Sequence, residues 1–232
     1  MNSYLTNFKR QDTDKYKNVI VNKIGLRNPG IDGIHKVDPD KIVSVSALVK
    51  EDWDLFLNTI HPSRHIEVNL SCPNVEGSAS IADFINERDT YTYLIKFLSR
   101  FRGKVQFKLP PDENILPYLN YIKTDLTGID DHELVFHMSN TTPIECDDGV
   151  IRGASGYEVK DINMKLIPKV KNLFPDCHII GGGGIYTLED LINYRQAGCD
   201  SYSLSTLFLK PSSLMFHLGD IRSYIEGQQR KK

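Results

Sequence analysis

The chain has 232 residues, 40% of them hydrophobic and 25% charged, with a formal net charge of −2. That is enough apolar material for one sizeable core, and residues 1–232 are expected to form a single domain; the near-neutral charge argues against a nucleic-acid partner held by bulk electrostatics. No apolar run approaches the roughly 20 residues that cross a bilayer, no secretion signal opens the chain, and Cys72, Cys146, Cys177 and Cys199 form no CxxC pair that would indicate zinc or a disulfide framework.

Residues before position 42 begin polar and irregular. From there short β-rich runs alternate with amphipathic helical patterns. A strand is predicted over 42–48, then a helix over 51–61 with Trp53, Phe56, Leu57 and Ile60 at helical spacing. A strand over 65–71 follows, then a helix over 90–102 with Asp89 as N-cap and Gly103 past its end. The next predicted pairs are strand 105–109 with helix 114–123, and strand 133–138 with helix 162–173. Pro168 is expected to kink that last helix or delay its start. Strand 178–180 leads to helix 188–197, which opens on a capping box at Thr187-Leu188-Glu189-Asp190 and stops at Gly198. Strand 201–204 and helix 212–226 close the chain. Several strands are near-continuous apolar or β-branched runs, as parallel strands covered on both faces should be. Six βα units in a row leave two architectures open, an eight-stranded barrel or a doubly wound sheet.

Six segments carry polar or glycine-rich chemistry at strand ends or turns. Asn22-Lys23-Ile24-Gly25-Leu26 sits in a turn-rich loop. Asn69-Leu70-Ser71-Cys72-Pro73-Asn74-Val75 ends a strand with a thiol between amides. Lys108 in Gln106-Phe107-Lys108-Leu109 is placed by alternation on the face opposite Phe107 and Leu109, and an inward lysine needs an anionic or electron-rich partner. Ser139-Asn140-Thr141-Thr142 ends another strand in an amide and hydroxyls. Gly181-Gly182-Gly183-Gly184 joins a strand to the capped helix, as a phosphate site or as a bare glycine turn. Ser203-Leu204-Ser205-Thr206 offers hydroxyls where the other side of such a site would lie. The asparagines, one lysine and one thiol suit a planar, polar, imide-like ligand better than a metal.

These motifs, in this order over roughly residues 19 to 225, resemble the dihydroorotate dehydrogenase family in its cysteine-dependent soluble class. Asn-Leu-Ser-Cys-Pro-Asn-Val is the most specific of them, and Gly153-Ala154-Ser155-Gly156 matches the family's glycine-rich loop before a helix. The resemblance implies an α/β fold, a TIM (β/α)8-type barrel, with FMN at its C-terminal mouth. It implies that Cys72 is the base that takes a proton from C5 of dihydroorotate while hydride passes from C6 to the flavin. Asn22, Asn69, Asn74 and Asn140, with Thr141, would hold orotate, and the backbone of Ile24, Gly25 and Leu26 would lie near its carboxylate. Asn69 and Lys108 would face the flavin; Gly156, Gly182, Gly183, Ser205 and Thr206 would hold its phosphate. The Lys-Leu-Pro-Pro form is similar to the fumarate-reducing homodimeric branch, which implies a cytoplasmic homodimer with fumarate as electron acceptor and no nucleic-acid, membrane or metal partner.

The chain departs from the family pattern in three places. Only 21 residues precede Asn22, so the barrel is expected to lack its first two strands, with the gap closed by residues 1–20 or a partner subunit. Ser205 stands where the family usually has glycine and is expected to crowd the phosphate. The segment 145–150 is shorter than its usual counterpart. Two other functions therefore stay open: a truncated or degenerate non-catalytic paralogue that binds FMN or phosphate or serves in interactions, and a flavin barrel that reduces another pyrimidine.

Overall fold

A computed structural model describes residues 8–11, 19–22, 30–47, 49–70, 88–125, 134–138 and 140–230. In chain order the elements are β1 (Phe8–Gln11), β2 (Val19–Asn22), β3 (Val43–Val45), α1 (Glu51–Thr59), β4 (Ile66–Asn69), α2 (Arg88–Arg100), β5 (Val105–Lys108) and α3 (Leu116–Asp125). There follow β6 (Val135–Met138), β7 (Thr142–Glu145), β8 (Ile151–Gly156), α4 (Tyr157–Leu173), β9 (His178–Gly182), α5 (Leu188–Ala197), β10 (Ser201–Ser203) and α6 (Pro211–Gln229).

All six predicted strands form one parallel sheet, ordered β3, β4, β5, β6, β9, β10. Spatial order follows chain order without a reversal. A doubly wound sheet would switch direction partway across, so the architecture is the barrel type. Among the described residues β3 and β10 are the two ends of this sheet, six strands of the eight a closed barrel requires.

A second sheet is antiparallel, ordered β1, β2, β8, β7. Its strands correct two expectations. Segments 8–11 and 19–22 are strands, consistent with the β-branched Val19-Ile20-Val21 run. They extend β8, with Ile20 opposite Ser155, and do not pair with β3 or β10, so the described part of residues 1–20 leaves the gap in the parallel sheet as it is. Residues 153–156, expected as a loop, are the end of β8, and only Gly156 at φ 115° breaks from it to start α4.

Helix boundaries follow local chemistry. Thr187 and Asp190 form the reciprocal capping box at the start of α5, and Gly198 ends it at φ 115°. Glu51, Asp52 and Asp54 place negative charge at the N-terminus of α1, and Pro62 disfavours helical geometry at His61. Helix α2 begins at Arg88, so Asp89 lies inside it and is not the N-cap. Pro168 does not delay α4, which starts at Tyr157 and carries the proline in its interior at the loss of one intrahelical bond.

The core lies between the sheet and its helices. Ile66, Val68, Phe107, Leu109, Phe136, Met138 and Ile179 are fully or almost fully buried. Phe136 stacks on Phe107 at 5.8 Å between ring centroids and meets Phe174 at 5.0 Å. Trp53 of α1 packs on Phe97 of α2 at 5.2 Å, and Phe97 stacks on Phe101 at 5.4 Å. Strands β4 and β5 are not apolar on both faces, however. The opposite face of the sheet carries Ser44, Glu67, Asn69, Gln106, Lys108 and His137 by alternation.

Because Phe136 is fully buried and bridges the sheet and Phe174, Phe136→Ala should cost about 4 kcal/mol. Urea unfolding checks this as a lower midpoint with an unchanged m-value.

Candidate active site

Parallel pairing brings the C-terminal ends of the strands to one edge. Asn69, at the end of β4, is the register partner of Lys108 on β5, and Lys108 is the partner of His137 on β6. All three project from the same, polar face. Asn140 and Thr141 follow β6 directly. The Asn140 Nδ2 amide donates to Asn69 Oδ1 at 2.9 Å, and Asn140 Oδ1 accepts from the Thr141 N–H at 3.0 Å. Asn140 is buried, and the Asn69 carbonyl accepts from Ser46 Oγ at 3.4 Å. Two predicted amides therefore meet across strands, with the predicted lysine next to them. Neutral amides beside one cation can orient a planar ligand rich in acceptors and stabilise negative charge that develops on it.

The glycine segment lies at the same edge, since Gly182 on β9 is the register partner of Ser203 on β10. Packing explains three of the four glycines. A Cβ at Gly181 would stand 2.5 Å from Cys199 Sγ, at Gly183 2.5 Å from Val159 Cγ1, and at Gly184 2.5 Å from the Gly156 carbonyl oxygen. Gly183 and Gly184 also have positive φ of 87° and 67°. The last contact brings Gly156, at the start of α4, against the glycine segment. The Gly182–Ser203 register turns the Gly183 N–H towards the β10 backbone, and among the described residues no acceptor takes the N–H of Gly184. The Gly184 amide beside a helix start is a donor that fits an oxyanion. Thr206 is buried near this end of β10. Ser205 is exposed at φ −91°, ψ −50°, a conformation open to any residue, so glycine is not required there.

Other predicted site residues stand differently. Cys72, Asn74, Ile24, Gly25 and Leu26 lie outside the described residues. Asn22 ends β2 with its backbone opposite Gly153, three residues before Gly156.

A polar cluster beneath the amide pair escaped the sequence reading. Glu67 is buried, with 7% of its surface exposed, and accepts from Ser44 Oγ at 2.9 Å and Gln106 Nε2 at 2.7 Å. His137 Nδ1 stands 2.7 Å from Glu67 Oε2, the oxygen that also accepts from Gln106. Burial opposes ionisation of Glu67, but the hydrogen bond and charge of His137, with the bonds from Gln106 and Ser44, outweigh it and pull the carboxyl down to about 2. The signal was available in the spacing, since Glu67 and Asn69 on β4, and Gln106 and Lys108 on β5, are polar pairs two residues apart on one face.

A folded-state value below the ordinary 4.5 means that this carboxylate contributes stability which is complete above about pH 4.5 and lost as pH falls towards 2. Glu67→Gln should therefore be less stable than the parent at neutral pH, with the difference narrowing across that window in denaturant titrations at stepped pH. His137→Leu, which leaves the buried charge short of one partner, should destabilise by about 3 kcal/mol.

Comparison with known proteins agrees with this geometry. The family model described as dihydroorotate dehydrogenase matches residues 10–217. A dihydroorotate dehydrogenase B (NAD(+)) catalytic subunit from Thermotoga maritima is 26% identical over 230 residues, covering 90% of this chain and 78% of that one. A putative dihydroorotate dehydrogenase A (fumarate) from Streptococcus uberis is also 26% identical, over 216 residues, covering 80% and 66%. Names from both branches thus occur at the same level of identity. The crystal structure of dihydroorotate dehydrogenase from Eimeria tenella in complex with ferulenol superposes with a TM-score of 0.65 at 17% identity, covering 91% of this chain and 68% of that one, a likeness of fold. With a family model matched over most of its length, the chain belongs to the dihydroorotate dehydrogenase family, a family of oxidoreductases.

Proposed function

We propose that the chain is an FMN-dependent oxidoreductase that converts dihydroorotate to orotate in pyrimidine biosynthesis. The observation that carries this reading is the Asn69–Asn140 amide pair beside Lys108 at the C-terminal edge of a barrel-type sheet, in a chain of this family. The donor set suits FMN. The N–H of Gly184 beside the start of α4 fits a phosphate, and Lys108 with Asn69 fits an electron-rich ring edge. Gly156, Gly182, Gly183, Ser205 and Thr206 would surround the phosphate. Bound there, FMN would supply the acceptor for the hydride that leaves C6 of dihydroorotate.

The chain's own residues do the rest. Cys72 follows Asn69 by three positions and acts as the base that takes the C5 proton. A free thiol has a reference pKa of about 8.5, so the base form becomes accessible where neighbouring hydrogen-bond donors or positive charge offset the cost of burial. Asn69 and Asn140, with Asn22, Asn74 and Thr141, bind the imide edge of the ring through neutral amides and a hydroxyl. The backbone at Ile24, Gly25 and Leu26 meets the carboxylate. Lys108 would lie beside the flavin ring and favour negative charge there.

The Lys108-Leu109-Pro110-Pro111 form supports fumarate as final acceptor and a cytoplasmic homodimer. The names of the Thermotoga relatives support a second arrangement, with NAD(+) as acceptor and another subunit alongside. Rates of dihydroorotate oxidation with fumarate and with NAD(+), measured side by side, separate the two.

The purified protein should be yellow and oxidise dihydroorotate. Cys72→Ala should keep the flavin absorbance and lose turnover by at least about a hundredfold. A colourless protein that takes up no FMN overturns the flavin reading. FMN uptake without dihydroorotate oxidation assigns the chain to a non-catalytic binder, and a flavin spectrum perturbed by uracil but not by orotate assigns it another pyrimidine.

A further inference from the structure

Two buried polar side chains beneath the glycine segment have no place in the chemistry described above. Tyr194 of α5 is fully buried, and its hydroxyl donates to the carbonyls of Gly182 at 2.6 Å and Gly183 at 2.7 Å. Asn163 of α4 is 1% exposed, and its Nδ2 donates to the carbonyls of Met138 at 2.7 Å and Gly182 at 2.9 Å. The same amide approaches the Tyr194 oxygen at 3.4 Å, so the two side chains act as one unit.

Peptide geometry turns these contacts into a statement about the opposite side of the loop. The chain has no cis peptide bond, and in a trans peptide the C=O of one residue and the N–H of the next point in opposite directions. A Gly182 carbonyl drawn towards Tyr194 and Asn163 sends the Gly183 N–H away from them. The Gly183 carbonyl, drawn to the same hydroxyl, sends the Gly184 N–H the same way. The first of these amides faces the β10 backbone, and the second, of Gly184, has no acceptor among the described residues. Val159, 2.5 Å from where a Gly183 side chain would begin, closes the loop from beneath. Burial raises the Tyr194 hydroxyl well above its usual range, which keeps it a donor at any physiological pH.

We propose that Tyr194 and Asn163 are positioning residues for a phosphate-bearing ligand: they pin the carbonyls of the glycine segment to the helix layer and thereby aim the Gly184 amide at the phosphate. The proposal rests on the flavin reading above and gives its phosphate half a mechanism. Preorganised donors avoid the cost of turning two peptide planes when the ligand arrives.

The test compares FMN with riboflavin, which shares the ring and lacks the phosphate. Flavin-depleted full-length protein is titrated with each, following flavin fluorescence, for the parent and for Tyr194→Phe. The expected result is FMN affinity weakened about tenfold with riboflavin affinity unchanged. Equal weakening of both ligands, or no change in either, overturns the proposal, because it makes the hydroxyl an ordinary satisfied core group. If Tyr194→Phe does not fold, Asn163→Ser is measured the same way, and loss of folding in both assigns the pair to the core and likewise overturns it. A parent protein that binds no FMN ends the flavin reading and this proposal together. Parent binding with an unchanged variant ends this proposal alone.

Discussion

Parallel strand pairing in register is the constraint from which the site follows. Each hydrogen-bonded pair locks its neighbour in length and direction, so the last residues of β4, β5, β6 and β9 must emerge together. Asn69, Lys108 and His137 are dispersed over almost 70 positions in the sequence and yet stand abreast. The loops beyond them inherit that placement. Asn140 needs only two residues past β6 to reach Asn69, and the glycine segment continues β9 without a detour.

The two faces of the sheet divide the labour. One face packs phenylalanines and aliphatics against the helices and supplies the core. The other is polar throughout its middle, with an ionised carboxylate at its centre. Burying that charge is costly, and it is tolerated because Ser44, Gln106 and His137 each direct a polar group at it. Such a network holds its side chains in one arrangement and supports the layer directly above, where Lys108 and Asn69 lie. Stiffness near the amide pair therefore comes from electrostatics, not from apolar packing.

At the glycine segment, packing and ligand recognition are one physical fact seen from two sides. Close approach of Val159, Gly156 and Cys199 excludes side chains from positions 183, 184 and 181. The same tight seat lets Tyr194 and Asn163 reach the carbonyls, and the trans peptide then presents the amides outward. A glycine run that reads in sequence as a phosphate site or a bare turn is held on its inner side by two buried side chains.

By itself the sequence determined the six βα units, the capping box of α5, the helix stop at Gly198 and the edge of the sheet at which polar residues would gather. Those features are local, written in hydrophobic period, capping residues and strand-end chemistry within a few positions of each other. The motif Asn69-Leu70-Ser71-Cys72-Pro73-Asn74-Val75 also pointed to the family before any geometry was known. Only the tertiary structure decided the rest, because each remaining feature depends on partners far apart in the chain. The unreversed strand order chose a barrel over a doubly wound sheet. Strand β2 pairs with β8, some 135 residues away, and carries β1 on its other edge, and a four-residue run such as Val19–Asn22 holds no signal of so distant a partner. Glu67 looked like one polar position of an alternating strand until Gln106 and His137 arrived from the two strands that follow it. Tyr194 looked like a core aromatic on a helical stripe, and nothing local says that its hydroxyl ends between two glycine carbonyls.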